Sequence, residues 1–369
     1  MKIKIPIGLF SKIIPRIKFT PKSCLGIDIG TSVIKIAALS KTGSKVKLEN
    51  YGEISVGTFY DKSFRTLEKS TLLLSTTDIA KAIKTILTEA KINIRSAVFS
   101  IPDFSSFFTN FELPPMTKKE ISEAVRYEAP QHIPLPISEV TIDWQVIGGE
   151  AVDKKGTKLK ILMVAVPNEI INQYKEIARM NNLELEGLEV EVFSLSRLIS
   201  RDAKKIIALV DIGDQSTTTS IIDNGLLKTS HSFEVGGNEL TQALSRGMGV
   251  DLKSAEELKK KFGLRETPNG QGQKVTQLLS PPINSIGGEI EKNCNNFSQL
   301  EKKNIERIIL SGGSALLPGL KEYFASFLKK EIEIINPFAN FILPSILETK
   351  LKEMGPSYAI AVGAALRFL

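Results

Sequence analysis

Two stretches of this 369-residue chain set a carboxylate, a glycine and hydroxyls in one order: Asp28-Ile29-Gly30-Thr31-Ser32, and Asp211-Ile212-Gly213 followed by Ser216 and Thr217. A tight turn of that composition presents backbone N–H groups, its glycines let a phosphate come close, and its hydroxyls donate to phosphate oxygens. Lys35, seven residues after Asp28, supplies a point charge suited to a β-phosphate. Mg²⁺ gives up its water reluctantly, so Asp28 and Asp211 are the candidate groups facing a hydrated metal on a polyphosphate held by two opposed hairpins. Taken singly, each turn is an ordinary strand end; two copies in matching context point to phosphate. A third small-residue turn, Ser311-Gly312-Gly313-Ser314, follows a strand and precedes a helix, where a nucleoside can lie close to backbone. No G-x-x-x-x-G-K-[ST] occurs, and no G-x-G-x-x-G follows a strand, which excludes P-loop and dinucleotide-binding readings.

The elements that must position these residues are legible in the hydrophobic period. Leu25, Ile27 and Ile29 alternate with Gly26, Asp28 and Gly30, and residues 33–39 and 46–56 continue as strands across KTGS, so the chain opens as an antiparallel meander. TTDIAKAIKTILTEAKI places Ile79, Ile83, Ile86, Leu87 and Ala90 on one helical face, with Thr77 or Asp78 as the cap. Between about 103 and 167 the texture turns Phe- and Pro-rich and reads as a small α+β subdomain. In it Thr117 and Glu120 form a capping box, Pro130 ends the helix, and two strands flank the turn EAVDKKGT. Residues 206–233 then repeat the opening order of strand, Asp-x-Gly turn, strand, turn and strand, 183 residues on. An internal duplication accounts for that. Helices over GGNELTQALSRGMG and SAEELKKKFG follow, then a polar loop (TPNGQGQ), a long helix to about Lys302, the strand IERIIL, a helix over ALLPGLKEYFASFL and a small-residue helix from Pro356.

Six of the seven net positive charges fall in residues 1–22, which contain no acid. The remainder is nearly neutral, which argues against a nucleic-acid-binding body. Two cysteines and two histidines, far apart in the chain, form neither a disulfide framework nor a structural metal site, and suit a reducing cytoplasm. No apolar run is long enough to span a bilayer, and the N-terminal segment lacks a small-residue cleavage site. Residues 1–22 read as a flexible basic arm, with Leu9, Phe10, Ile13 and Ile14 keeping a peripheral membrane contact open.

The duplicated hairpins with a later Gly-Gly turn resemble the superfamily of actin, heat-shock chaperones and sugar kinases, from about residue 23 onward. Within it the chain is similar to the PilM family of type IV pilus assembly proteins, relatives of the cell-division protein FtsA. Four stretches carry this: GIDIGTSVIK; VRYEAPQHIPLPISEVTIDWQVIG; LVDIGDQSTTTSIIDNG with GGNELT; and IILSGGSALLPGL with NPFAN and PSYAIAVGAALR. The resemblance implies an α/β, actin-like (ribonuclease H-like) two-lobed fold with duplicated mixed β-sheets and the extra subdomain called 1C. The expected divisions are 1–22, the arm; 23–205, lobe I with the 1C-type subdomain at about 103–167; 206–354, the nucleotide-binding lobe II; and 355–369, a helix returning to lobe I.

It further implies ATP and Mg²⁺ as cofactors. Asp28, Gly30, Thr31, Ser32 and Lys35 would form the first phosphate loop, and Asp211, Gly213, Ser216 and Thr217 the second. Gly236, Gly237, Glu256 and Lys259 would border ribose and adenine, and Gly312, Gly313 and Ser314 would close the base site. Relatives orient the attacking water with a Glu or Gln of the first lobe; here that is Glu191, with Glu189 as the alternate. Thr218 stands where actin has a histidine, which implies slow hydrolysis at most. FtsA's C-terminal amphipathic anchor has no expected counterpart. The implied role is a cytoplasmic scaffold at the inner membrane, docking the tail of a PilN-like membrane protein and meeting other pilus assembly proteins. The docking groove would use Phe104, Phe107, Phe108, Phe111 and the 134–136 segment, with core packing as the other reading of those aromatics. An FtsA-like filament former is the alternative, and a small-molecule kinase the third possibility.

Overall fold

The computed structural model describes residues 22–43, 45–55, 75–149, 157–199, 205–265, 270–343 and 345–369. Residues 1–21 of the expected arm over 1–22, most of the turn at 150–157 and part of the TPNGQGQ loop lie outside them. The described residues divide into two compact units: those of 1–200, 225–230 and 360–369, and those of 201–224 and 231–359.

In the first unit, β1 (Ser23–Ile29), β2 (Val33–Thr42) and β3 (Lys45–Ser55) form the expected meander. α1 (Thr76–Glu89) follows, then β4 (Ser96–Ile101), β5 (Phe107–Leu113), α2 (Lys118–Glu128), β6 (Val140–Gly148) and β7 (Leu159–Pro167). α3 (Asn168–Met180), β8 (Glu184–Val190) and α4 (Glu191–Leu198) complete the run. The main sheet carries the order β3-β2-β1-β4-β8, with β1, β4 and β8 parallel. Parallel strands are buried on both faces, and Cys24, Leu25, Ile27 and Ile29 all lose their solvent exposure. The cap of α1 is Ser75, whose Oγ accepts from the Asp78 N–H at 3.1 Å, so Thr77 and Asp78 fall within the first turn.

The Phe- and Pro-rich segment is a three-stranded sheet, β5-β7-β6, with a core of its own. Period-two alternation sends Phe111, Leu113, Leu159, Ile161, Met163 and Val140 to one face, where Ile121 and Val125 of α2 cover them. At the start of α2 the Glu120 carboxylate accepts from the Thr117 N–H at 2.7 Å and from its hydroxyl at 2.8 Å. Phe111 is core, stacked on His132 at 4.9 Å. Phe107, half-buried, packs against the same cluster.

The second unit opens with β9 (Ile206–Ile212), β10 (Thr217–Asp223) and β11 (Leu226–Phe233), whose first residues count with the first unit. α5 (Gly237–Met248), α6 (Leu252–Phe262) and α7 (Gly270–Glu301) follow; α7 absorbs the end of the expected loop and carries Pro281 and Pro282. β12 (Arg307–Ser311), α8 (Leu320–Leu328), β13 (Glu331–Ile334) and α9 (Glu348–Ala365) close the chain. Its strands run β10-β9-β12-β13, with β9, β12 and β13 parallel. Their core side chains pack with Leu240, Leu244, Val275, Leu279, Ile283 and Phe324 of the helices.

α9 begins earlier than Pro356, where the sequence suggested a start. The helix runs through Pro356, which has no N–H to give to the turn before it, and the Pro356 carbonyl accepts from the Gly312 N–H at 3.1 Å. Its small-residue end packs in the first unit, where a Cβ on Gly26 would fall 1.7 Å from the Ala361 carbonyl oxygen. Among the described residues no helix is long and apolar enough to cross a membrane.

Candidate functional site

The two Asp-x-Gly hairpins are built alike. Ile29 pairs with Ile34 and Ile212 with Thr217, and the glycine N–H of each turn donates across it, Gly30 to Val33 at 3.1 Å and Gly213 to Ser216 at 2.9 Å. Lys35 stands opposite Asp28, and in the same register Thr218 stands opposite Asp211. The repeat therefore extends from sequence to strand pairing, with one difference: a cation on the first hairpin, a hydroxyl on the second.

In the first unit, Asp28 is nearly buried, and its Oδ1 accepts from the hydroxyl of Ser100 on β4 at 3.0 Å. Thr31 is buried in the turn while Ser32 and Lys35 are half-buried beside it. The parallel strands β1, β4 and β8 end along one edge, the usual place for a ligand in such sheets. Glu191 sits on that edge as the first residue of α4, rather than at a strand end. Glu189, two residues before, has another task. It is fully buried, pairs with Arg197 at 2.6 Å, accepts from Ser194 at 2.8 Å and lies 3.9 Å from Arg367. Burial alone would raise its pKa, but Arg197, Arg367 and Ser194 more than offset that and hold it below the ordinary range. A carboxylate so committed does not orient water.

In the second unit the turns after the parallel strands β9 and β12 lie side by side, with Ser311 the register partner of Asp211. Gly312 takes φ +89°, and a Cβ there would fall 2.4 Å from the Ile212 carbonyl oxygen; only glycine fits so close to the hairpin. Ser314 donates to the Gly213 carbonyl at 3.3 Å, and the N–H groups of Gly237 and Asn238 reach the carbonyls of Gly213 and Asp214 at 2.9 and 2.7 Å. The structure thus gathers Asp211, Gly213, Ser216, Gly236, Gly237, Gly312, Gly313 and Ser314 at one sheet edge, in a cradle so tight that a Cβ on Gly237 would stand 2.6 Å from Ser314 Oγ.

Two residues expected to face a ligand turn inward. Thr217 is fully buried and its hydroxyl donates to the Val235 carbonyl at 2.7 Å, leaving Ser216 as the hydroxyl of the turn. The Lys259 ammonium is held by Glu256 at 2.6 Å, Thr241 at 2.8 Å and the Gly237 carbonyl at 2.9 Å. It fastens α6 to the start of α5. Sequence spacing showed the Glu256–Lys259 pair but not Thr241, whose hydroxyl also donates to Glu256 at 2.6 Å. Burial pushes the Glu256 carboxyl up, and Lys259, Thr241 and Lys260 together bring it below its ordinary value. Glu256 remains half-buried, with Oε1 turned to Lys260 at 3.3 Å.

Each hairpin by itself has a donor set suited to phosphate: close backbone, a small turn and hydroxyls, with a cation, Lys35, on the first. Among the described residues no three His, Cys, Asp or Glu side chains meet as a metal cluster.

Comparison with known proteins agrees with this architecture. The family model described as type IV pilus assembly protein PilM matches residues 26–369. The cell division protein FtsA of Bacillus subtilis (strain 168) is 22% identical over 346 residues, 85% of this chain and 78% of that protein. FtsA of Rhizobium meliloti (strain 1021) is 26% identical over 211 residues, 49% of this chain and 45% of that one. Among solved structures, a chain of the PilM-PilN type IV pilus biogenesis complex superposes with a TM-score of 0.81 at 23% identity, over 95% of this chain and 99% of that one. MreB 5 of Spiroplasma citri, bound to AMPPNP, superposes at 0.54 with 13% identity, over 94% and 95%. These structures share with this chain the actin-like fold that the repeated hairpins led one to expect.

Proposed function

The chain belongs to the PilM family of type IV pilus assembly proteins, and from that premise we propose that it is an ATP-binding scaffold of the pilus inner-membrane assembly platform, or of a related secretion machine, at the cytoplasmic face. The observation that carries this reading is the family match over residues 26–369. The nucleotide part rests on the two hairpins. In this reading Gly30, Thr31, Ser32 and Lys35 hold phosphate from one loop, and Gly213 and Ser216 from the other. Asp28 and Asp211 turn their carboxylates to the water shell of Mg²⁺, which when bound neutralises phosphate charge. Gly236, Gly237 and Glu256 border the ribose, Gly312, Gly313 and Ser314 the base. Lys259 serves by fixing Glu256.

Turnover is slow at most. Thr218, opposite Asp211, shares a hydrogen bond with Ser232 at 2.8 Å, and a hydroxyl is a poor base at neutral pH. Glu191 is the group assigned to orient water.

The partner is the cytoplasmic tail of a PilN-like membrane protein, a reading supported by the shared fold with the solved PilM-PilN complex. The β5-β7-β6 subdomain is its docking site. Its edge strands β5 and β6 offer backbone for strand addition, a role the Phe111 side chain cannot fill from the core. Other pilus assembly proteins meet the scaffold elsewhere on its surface.

The test is to denature freshly purified protein and an Asp211→Ala variant and to chromatograph the released small molecules. ATP from the wild type and none from the variant is the expected result; ADP would mean turnover. If neither carries nucleotide and MgATP leaves the melting temperature unchanged, the cofactor assignment fails. Tail binding by protein lacking residues 103–167 would remove the docking assignment. The FtsA match over 346 residues favours one second reading, a filament former, which pelleting in the presence of ATP would reveal.

A further inference from the structure

At the end of β1 away from Asp28, the first unit carries an open depression of about 510 Å³ between the start of β1, the strands β2 and β3, and the chain leaving α1. Three lysines line it, Lys22, Lys41 and Lys91, with Asn50, Asn93 and one acid, Glu49. Both oxygens of that acid are engaged: Ser40 donates to one at 2.5 Å and Lys47, outside the depression, to the other at 2.8 Å. Its charge is matched from behind, and the lysines leave a positive excess.

The backbone around the depression is also satisfied. The last carbonyls of α1 would repel an anion if bare, but Ile86, Leu87 and Thr88 accept from Ala90, Ile92 and Lys91, and Ala90 accepts from Asn50 at 2.5 Å. Lys91 takes φ +51°, a left-handed position where glycine or asparagine is less strained. Among the described residues neither Lys22 nor Lys91 has an ion-pair partner, while Lys41 donates to an oxygen of the terminal residue Leu369 at 2.6 Å, so the positive excess rests on Lys22 and Lys91.

Lys22 is the last cation of a 22-residue segment holding Lys2, Lys4, Lys12, Arg16 and Lys18, no acid, and Leu9, Phe10, Ile13 and Ile14. Basic segments with interspersed apolar residues are drawn to anionic bilayers. We propose that the Lys22–Lys41–Lys91 depression binds the phosphate-bearing headgroup of an anionic lipid, so that this end of the first unit is a membrane-facing site. The assignment goes beyond the scaffold reading and does not depend on ATP or on a peptide partner.

The experiment uses the full chain and vesicles of phosphatidylglycerol mixed into phosphatidylcholine, with phosphatidylcholine alone for comparison. A lysine near an anionic surface contributes about a fivefold factor in partitioning, so Lys22→Gln with Lys91→Gln should weaken binding roughly 25-fold. Lys84→Gln with Lys274→Gln, the same charge change at exposed positions elsewhere, should change it little. Equal losses in both pairs, or none in the first, would overturn the proposal. A chain that binds glycerol phosphate in solution but ignores the anionic vesicles would assign the depression to a free phosphate ester and overturn the membrane assignment. Both pairs replace exposed side chains, and an unchanged melting temperature confirms that each variant folds.

Discussion

Asp28 and Lys35 are register partners across the first hairpin, seven residues apart in the chain and directly opposed on neighbouring strands. The duplicate hairpin keeps the carboxylate, at Asp211, and replaces the cation with Thr218. If the hairpins hold phosphate, charge neutralisation from side chains falls on Lys35. Lys35→Gln should lower MgATP affinity about ten- to a hundredfold, the range for losing a charge-assisted hydrogen bond. Titration calorimetry with MgATP checks this. The nucleotide-free melting temperature should barely move, because Lys35 is only half-buried.

The Glu189 carboxylate makes a contrasting prediction, since it lies two residues from Glu191 but is fully buried between arginines. Glu189→Gln would leave Arg197 without its counter-charge, and removing one partner of a buried pair costs about 3–5 kcal/mol. Urea unfolding should show that loss. The pH dependence follows from the lowered pKa of Glu189. Its contribution is fully present above the ordinary value of 4.5 and is lost as the pH falls through the lower folded value. Wild type and Glu189→Gln should therefore converge in stability on acidification below that range.

Much of this was legible in the sequence, and the failures have identifiable causes. The hairpins could be read because turn chemistry and period-two alternation are local. The Gly312 turn could be read for the same reason, and its φ of +89° and close approach to Ile212 account for the glycine. The inward turn of Thr217 was not legible, because Ser216 and Thr217 are chemically alike and only the Val235 carbonyl separates them. The cap of α1 was displaced because Ser75, Thr76, Thr77 and Asp78 are all suitable types. Pro356 read as a helix start because proline favours the first turn, whereas the helix begins at Glu348 and runs through it. In the first two instances the deciding group was distant in sequence, or several neighbours were equally qualified.

Two glycine substitutions should move stability in opposite directions. Gly26→Ala would drive its Cβ to 1.7 Å from the Ala361 carbonyl oxygen, a backbone atom of α9 that cannot rotate away. A loss of at least about 3 kcal/mol is expected, at the upper end for overpacking. Gly288, inside α7, has nothing within 4 Å of an added Cβ. Gly288→Ala should stabilise by about 0.5–1 kcal/mol through helix propensity and the smaller entropy of the unfolded chain. Thermal unfolding of both variants measures the contrast.

Lys259 decides between a ligand contact and an internal fastening. A lysine reserved for nucleotide would leave the empty protein unchanged when removed. Here the ammonium already has three acceptors, in Glu256, Thr241 and the Gly237 carbonyl. Lys259→Met should therefore destabilise the nucleotide-free protein by about 2–3 kcal/mol, the usual range for unpairing buried polar groups. Replacing both charges, Lys259→Met with Glu256→Leu, should recover part of that loss, because an apolar pair leaves no stranded carboxylate. A double-mutant cycle in urea gives the coupling directly. A nucleotide-free Lys259→Met protein as stable as wild type, but weaker in MgATP binding, would return the residue to the ligand.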